Sequence, residues 1–352
     1  MTRTLTVLFA GEEAAGIGAL RALARSGHRL VAVLAGGGTS AGTATVAEVA
    51  ADLGLPVWPA ALVEGPALAE RMREERVDLF LNVHSLFIVH PEVLAAPRIG
   101  SFNLHPGPLP AYAGLNAPSW AILNGERSHA TTLHRMTSEV DAGPIAYESP
   151  FELLPTDTGL SVSAKCVRHG LPLLDRLLAE AAGDADVPAL PQERAARRVF
   201  GREVPYGGCM PWALPASRLA DLVRACDYFP FRSPWGHPAS SIGGRPVAVT
   251  KARRTHEPCA AEPGTVGAVR EAGVMVATGD EWLLVQRLEV EGRFVDASSV
   301  LAPGQRLATP GDDVGNRPLP LPSQGERAVP EGGFRDTREG SVQTHTVSAW
   351  RR

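Results

Sequence analysis

LTVLFAGEEAAGIGALRALARSGHRLVAVL, Leu5 to Leu34, reads as a strand, a helix and a second strand. The apolar run Leu5 to Ala10 has no polar alternation, which is the pattern of a strand buried on both faces. Ile17, Leu20 and Leu23 then recur at helical spacing, and Gly27 stops the helix before the strand Leu30 to Leu34. Further along come a helix over Thr45 to Leu53, a short strand near Pro56 to Trp58, a helix over Ala67 to Glu75 and the strand Val77 to Val83. Strands alternating with helices predict an α/β fold: a Rossmann-like, mostly parallel sheet with helices on both faces. Gly11, Gly16 and Gly18 do not have the GxGxxG spacing, and the second strand ends in Ala35-Gly36-Gly37 with no acidic residue for a ribose hydroxyl. These glycines therefore read as turn and close-packing positions, not as a nicotinamide site.

Leu160 to Ala182 reads as one long helix, with Val162, Cys166, Val167, Leu171, Leu174 and Leu178 on its apolar stripe. A polar connection, Gly183 to Arg198, separates it from a segment of different character. From Val204 to about Leu307, short apolar runs are punctuated by Gly and Pro, after a helix over Pro215 to Cys226. This pattern predicts a small β-barrel or sandwich, with an OB-like β-barrel as the expected form. Beyond Gly311 the chain is rich in Pro, Gly and charge and has no apolar period, as in a mobile tail. The expected division is an α/β domain over 1–185, a linker over 186–205, a barrel domain over 206–310 and a tail over 311–352.

At 352 residues the chain is long enough for two cores, and 44% hydrophobic with 20% charged residues is a globular composition. A formal charge of -4 gives no general attraction to nucleic acid or anionic membrane. Cys166, Cys209, Cys226 and Cys259 are widely spaced and form no CxxC pair, which argues against a zinc site or a disulfide framework. The first apolar run is too short for a signal-peptide core, and no apolar stretch approaches the ~20 residues of a membrane span. The expectation is a cytoplasmic protein with no metal.

Two stretches carry the chemistry: SFNLHPGPLPAYAG, Ser101 to Gly114, and HRMTSEVDAGPI, His134 to Ile145. They place an amide, an imidazole and a carboxylate (Asn103, His105, Asp141) near strand ends. Such a trio can move an acyl group onto an amine, which needs a donor for the oxyanion and a base for the amine proton. Asn103 supplies the amide donor. His105 lies two residues on, hence on the same face of an extended segment. Asp141 can orient the imidazole and raise its pKa. Pro106, Pro108 and Pro110 stiffen the intervening loop. Asp141-Ala142-Gly143 also fits a simple turn, and His129 and His134 read as solvated or capping residues.

The joint pattern Asn103-Leu104-His105, Leu109-Pro110, Gly114 and Asp141-Ala142-Gly143 resembles the 10-formyltetrahydrofolate-dependent formyltransferase family, over about the first 180 residues. That family includes methionyl-tRNA, glycinamide ribonucleotide and amino-sugar formyltransferases and the formylation domains of peptide synthetases. The resemblance implies that Asn103, His105 and Asp141 are catalytic and that 10-formyltetrahydrofolate is the co-substrate. It also implies a pterin pocket lined by Leu86, Phe87, Ile88 and Val89, closed on its other side by the loop holding Ser138 and Val140. One departure is Gly107-Pro108-Leu109-Pro110, where many members carry Ser-Leu-Leu-Pro. On the acceptor side the candidates are Gly107, Tyr112, Asn116, Ser119 and Trp120, with a core position on a helix as the alternative for Trp120.

The segment after the loop is most similar to the synthetase-associated domains and the amino-sugar enzymes. This implies an amine or hydroxylamine acceptor on a small metabolite or a carrier-bound amino acid, with a nucleotide-linked amino sugar as the second reading. Residues 201–320 hold thirteen Arg plus Lys against thirteen Asp plus Glu, and this neutrality weighs against tRNA. Hydrolysis of the formyl-folate and a folate-binding module without turnover are the remaining alternatives. A homodimer through the barrel or a sheet edge stays open.

Overall fold

The computed structural model describes residues 3–36, 44–183 and 185–310. The expected tail over 311–352 and part of the glycine cluster after the second strand lie outside the described residues. The first lobe is built from β1 (Thr6–Gly11), α1 (Glu13–Arg25), β2 (Arg29–Ala35), α2 (Val46–Asp52), β3 (Val57–Pro59), α3 (Ala67–Glu74), β4 (Leu79–Val83), α4 (Pro91–Ala95) and β5 (Gly100–His105). Then come β6 (Ala113–Gly114), α5 (Ala117–Leu123), β7 (Ser128–Arg135), β8 (Ile145–Glu152), α6 (Gly159–Ala182) and β9 (Val199–Phe200). The main sheet runs β3-β2-β1-β4-β5-β7-β8. Its first five strands are parallel, and β7 and β8 are antiparallel to their neighbours.

Side chains of β1 alternate between two apolar layers, as the two-residue period of a strand requires. Leu5, Val7 and Phe9 pack with α1, α2 and α6 on one face. Leu8 and Ala10 pack with α3 and α4 on the other. Helices thus cover both faces, as the alternating pattern predicts. Gly11 and Gly16 fill their close-packing role. A Cβ on Gly16 would lie 2.9 Å from the Gly11 carbonyl carbon, so α1 sits against the end of β1 at a distance only glycine permits. The order of strands reverses between β1 and β4, so the crevice of this open sheet opens beyond their carboxyl ends.

The second lobe holds α7 (Ala216–Ala225), β10 (Ala239–Ile242), β11 (Arg245–Pro258), β12 (Val266–Arg270), β13 (Gly273–Ala277), β14 (Glu281–Val290), β15 (Arg293–Asp296) and β16 (Leu307–Ala308). These seven strands form an antiparallel sheet in the order β12-β13-β14-β11-β10-β16, with β15 on β14. The sheet departs from the expected barrel in how it ends. Its outer strands meet only over a short stretch around the Thr265–Arg306 bridge, where the Val266 amide donates to the Gln305 carbonyl and the Leu307 amide to the Gly264 carbonyl.

A third apolar cluster joins the lobes. α5 buries all seven of its residues, and Trp120 packs with Phe200, Met210, Trp212, Trp235 and the inner face of the second sheet. The sequence APSWAIL has no polar face to give to water, so α5 is enclosed between α6 and α7. The Ser119 hydroxyl donates to the Ala225 carbonyl at 2.9 Å, fixing α5 to the end of α7. Among the described residues, no helix is long and apolar enough to cross a membrane.

Candidate active site

Asn103 and His105 are the last alternate residues of β5, so both project from one face of the sheet at its carboxyl end. β7 runs antiparallel beside it and sets His134 opposite Asn103 and Thr132 opposite His105. The chain then turns at residues 137–144 and re-enters the sheet as β8. Asp141 sits in that turn in the left-handed region, φ 51°. The sequence separation between Asn103 and Asp141 is thus closed by a single strand and its turn.

The carboxylate is the hub. Asp141 Oδ1 accepts from Asn103 Nδ2 at 3.3 Å and lies 3.3 Å from His134 Nε2. Its Oδ2 accepts from the Gly114 amide at 2.8 Å and lies 3.4 Å from His105 Nδ1. Asn103 Oδ1 accepts from Asn82 Nδ2 at 2.9 Å, which fixes the orientation of the Asn103 amide. His105 Nε2 lies 2.6 Å from the Tyr112 carbonyl oxygen, an acceptor only, so Nε2 carries the ring proton in the neutral form. Nδ1 is then the proton-accepting atom, and it faces Asp141.

The electrostatics follow from burial and from these contacts. His105 is 3% exposed. Burial pushes its pKa below 6.5; Asp141 and the Tyr112 carbonyl oppose that shift, and His134 and His84 add to it. Asp141 raises the imidazole pKa, as the sequence suggests, but desolvation is larger and the net direction is down. For Asp141 itself, burial favours the neutral acid. The His105 and His134 rings and the Gly114 amide outweigh it and hold the carboxyl below its ordinary range. The cluster therefore pairs a neutral imidazole with an anionic carboxylate at neutral pH.

The loop between His105 and Gly114 is held from beneath. The Thr132 hydroxyl donates to the Gly107 carbonyl at 2.8 Å and accepts from the Leu109 amide at 3.3 Å. A Cβ on Gly107 would stand 3.0 Å from His105 Nε2 and 2.9 Å from the Ala117 Cβ. Gly107 is therefore a close-packing position behind the imidazole. Tyr112 is also buried; its hydroxyl donates to Glu126 Oε1 at 2.7 Å and its carbonyl faces His105. Trp120, 3% exposed, belongs to the core and not to an acceptor surface, because the Phe200 and Trp235 rings cover it at centroid distances of 4.9 and 4.8 Å. Ser119 is likewise buried at the α5–α7 contact. Asn116, at the start of α5 with φ 57°, remains partly exposed.

Of the residues expected around a pterin, Leu86, Ile88 and Val140 are large apolar side chains left about half exposed. Ser138 is exposed, Val89 is buried and Phe87 packs on the core beneath. Asn82 joins the two regions, since its Nδ2 also donates to the Ser85 carbonyl at 3.3 Å. His134 is the residue that the sequence reading missed. It is 2% exposed, with Nδ1 2.8 Å from the Arg135 carbonyl oxygen and Nε2 3.2 Å from Asn103 Nδ2. The available signal was the two-residue period of β7, which puts residues 132 and 134 on the face of Asn103 and His105. His129, of the opposite parity along β7, sits behind the loop with Nε2 2.9 Å from the Pro106 carbonyl oxygen, and burial pulls its pKa down to about 4. No group of three or more potential metal ligands occurs among the described residues.

The chain is similar in fold to several solved proteins. An N-formyltransferase from Helicobacter canadensis, solved with folinic acid and dTDP-3-aminofucose, is 16% identical, with a TM-score of 0.61 over 80% of this chain and 99% of that one. A 4-N formyltransferase from Francisella tularensis is 13% identical, with a TM-score of 0.54 over 65% of this chain and 90% of that one. HypX from Aquifex aeolicus, solved with tetrahydrofolic acid, is 20% identical, with a TM-score of 0.54; the match covers 84% of this chain and 46% of HypX. Residues 35–174 match the formyl transferase family, and residues 206–302 match the formyl transferase C-terminal domain. With the Asn103–His105–Asp141 cluster inside the first match and the C-terminal family domain following it, the chain belongs to the formyl transferase family.

Proposed function

We propose that this protein transfers the formyl group of 10-formyltetrahydrofolate to an amine or hydroxylamine of a small molecule or a carrier-bound amino acid. The observation that carries this reading is the assembly of Asn103, His105 and Asp141 into one buried hydrogen-bonded cluster at the carboxyl end of β5. The half-exposed side chains of Leu86, Ile88 and Val140 beside it fit a flat, largely apolar pterin ring. Folinic acid and tetrahydrofolic acid in the structures of similar fold support a folate as formyl donor.

In the proposed reaction the amine nitrogen bonds to the formyl carbon, and the carbon–N10 bond of the folate breaks. Asn103 donates a hydrogen bond to the oxygen as it becomes anionic, using an amide hydrogen that otherwise points to Asp141 or His134. His105 takes the amine proton at Nδ1, the ring atom that has no proton in the neutral form. Asp141 Oδ2, 3.4 Å away, then stabilises the imidazolium. The proton leaves with the folate nitrogen, so the site returns to its starting charge.

A nucleotide-linked amino sugar is the second reading, favoured by the dTDP-3-aminofucose in the Helicobacter relative. The charge at the sheet's crevice weighs against it. Glu12 and Glu13 stand at the start of α1, where a helix end would otherwise attract phosphate. Burial raises the Glu12 pKa, while the Gly36 amide, donating to Oε1 at 2.7 Å, opposes that rise. The test is release of tetrahydrofolate from 10-formyltetrahydrofolate with a panel of amino acids, hydroxylamines and nucleotide-linked amino sugars. Acceleration by an amino acid or hydroxylamine, lost in His105→Ala, is the expected result. Acceleration by the sugar nucleotides alone establishes the second reading, and none by any amine overturns formyl transfer to an amine.

A further inference from the structure

The segment between α6 and β9, a polar connection in sequence, reaches both halves of the cluster. Leu190 bridges to Ile145 at the start of β8. Gln192 Nε2 donates to the carbonyl oxygens of Asp141, at 2.9 Å, and Gly143, at 2.6 Å. Arg197 Nη1 donates to the Asp141 carbonyl at 3.2 Å, and Nη2 to the Val140 carbonyl at 2.5 Å. Arg197 Nε faces Glu139 Oε1 at 3.4 Å, and the Arg197 side chain is only 12% exposed. Val199 and Phe200 then pair, as β9, with Ala113 and Gly114, and Gly114 is the residue whose amide holds the Asp141 carboxylate.

These contacts do more than cover a surface. The turn directs the carbonyls of residues 140, 141 and 143 toward the connection while Asp141 is in a left-handed conformation that a side chain resists. Carbonyls gathered on one side of a turn repel unless donors stand between them, and the donors are a guanidinium and a primary amide from outside the turn. Gln192 Oε1 is buried without a partner, so the hydrogen bonding of this amide rests on the two bonds that Nε2 donates.

We propose that Arg197 and Gln192 are positioning residues for Asp141, fixing its backbone so that the carboxylate stays within reach of Gly114, Asn103 and His105; its meaning for catalysis rests on the Asp141 role proposed above. Three consecutive amides provide the test. Ala113 and Leu115 donate to the Arg198 and Phe200 carbonyls, whereas Gly114 donates to the Asp141 side chain. Amide hydrogen exchange is measured on the full chain for wild type, Arg197→Ala, Arg197→Lys and the isosteric Gln192→Glu, with Arg245→Ala as a remote control. Formyl-folate turnover and 5-formyltetrahydrofolate binding are measured alongside.

The expected result is faster Gly114 exchange in Arg197→Ala and Gln192→Glu, by about tenfold, with Ala113 and Leu115 within about twofold of wild type. kcat falls by about tenfold or more, folate affinity changes by less than about threefold, and Arg197→Lys recovers part of both losses. Unchanged Gly114 exchange overturns the proposal. So does equal acceleration of all three amides, which makes the connection a support for β6 and nothing more. Because exchange needs no acceptor, a wild type that formylates no amine still tests the contact. Selective release of Gly114 would then stand while formyl transfer falls.

Discussion

At the scale of single residues, the site depends on one carboxylate serving four neighbours. Two hydrogen bonds and two imidazoles converge on Asp141 in a largely buried setting, where each contact is stronger than in solution. Asp141→Asn removes the charge that raises the His105 pKa but leaves the burial that lowers it. The imidazole of the variant is then a weaker base, and kcat is expected to fall by about 10²-fold or more. In wild type, the rate should fall with pH once His105 takes up a proton, along an acid limb below 6.5. The variant's limb should lie further to acid. A pH profile of kcat for both proteins checks this, and an unshifted limb removes Asp141 as the neighbour that matters.

At the scale of elements, strand register does the assembly. β5 and β7 place Asn103, His105, Thr132 and His134 on one face with no contribution from loop conformation. The two-residue pairing of β6 with β9 then brings the Gly114 amide to Asp141. Gly114 has φ +90°, and a Cβ there would stand 2.1 Å from the Phe200 carbonyl oxygen. Gly27 also has a positive φ, but nothing lies within 4 Å of its Cβ position. Gly27→Ala should therefore cost only backbone strain, about 1–2 kcal/mol. Gly114→Ala should cost more than that and abolish formyl transfer, because β9 must move away. Urea unfolding of the two variants measures the difference; equal losses would mean that β6–β9 contact is not constrained.

At the scale of the molecule, the two lobes share a core. α5 belongs to the chain of the first sheet, yet it is buried with α7, Trp212, Trp235 and the second sheet in one apolar cluster. Trp120, with Phe200 and Trp235 against its ring, is at the centre of that contact. Trp120→Ala should cost about 3–5 kcal/mol, typical of a large aromatic lost from a core. It should lower the stability of both lobes in a single urea transition. Two separated transitions, with the first lobe unaffected, would show that the shared cluster does not couple them. The same packing explains why the acceptor-side reading of Trp120 gives way to a core position.

Sequence alone determined what depends on local period and on residue chemistry. Continuous apolar runs with helical stretches between them specified the parallel sheet, since a strand covered on both faces leaves no polar position. Asn103 and His105, two apart in an extended segment, had to share a face. Only the tertiary structure decided the rest. His134 looked like a solvated turn residue because its partners, Asn103 and Asp141, approach it across strands and not along the chain. Arg197 and Gln192 were part of an undistinguished polar connection because the carbonyls they satisfy lie in a turn some fifty residues earlier. The second sheet's strands were legible from short apolar runs and Gly and Pro punctuation, but edge closure depends on how far two distant strands overlap. Hydrogen-bond partners brought together by register and burial have no fixed sequence spacing, and for that reason no motif announces them.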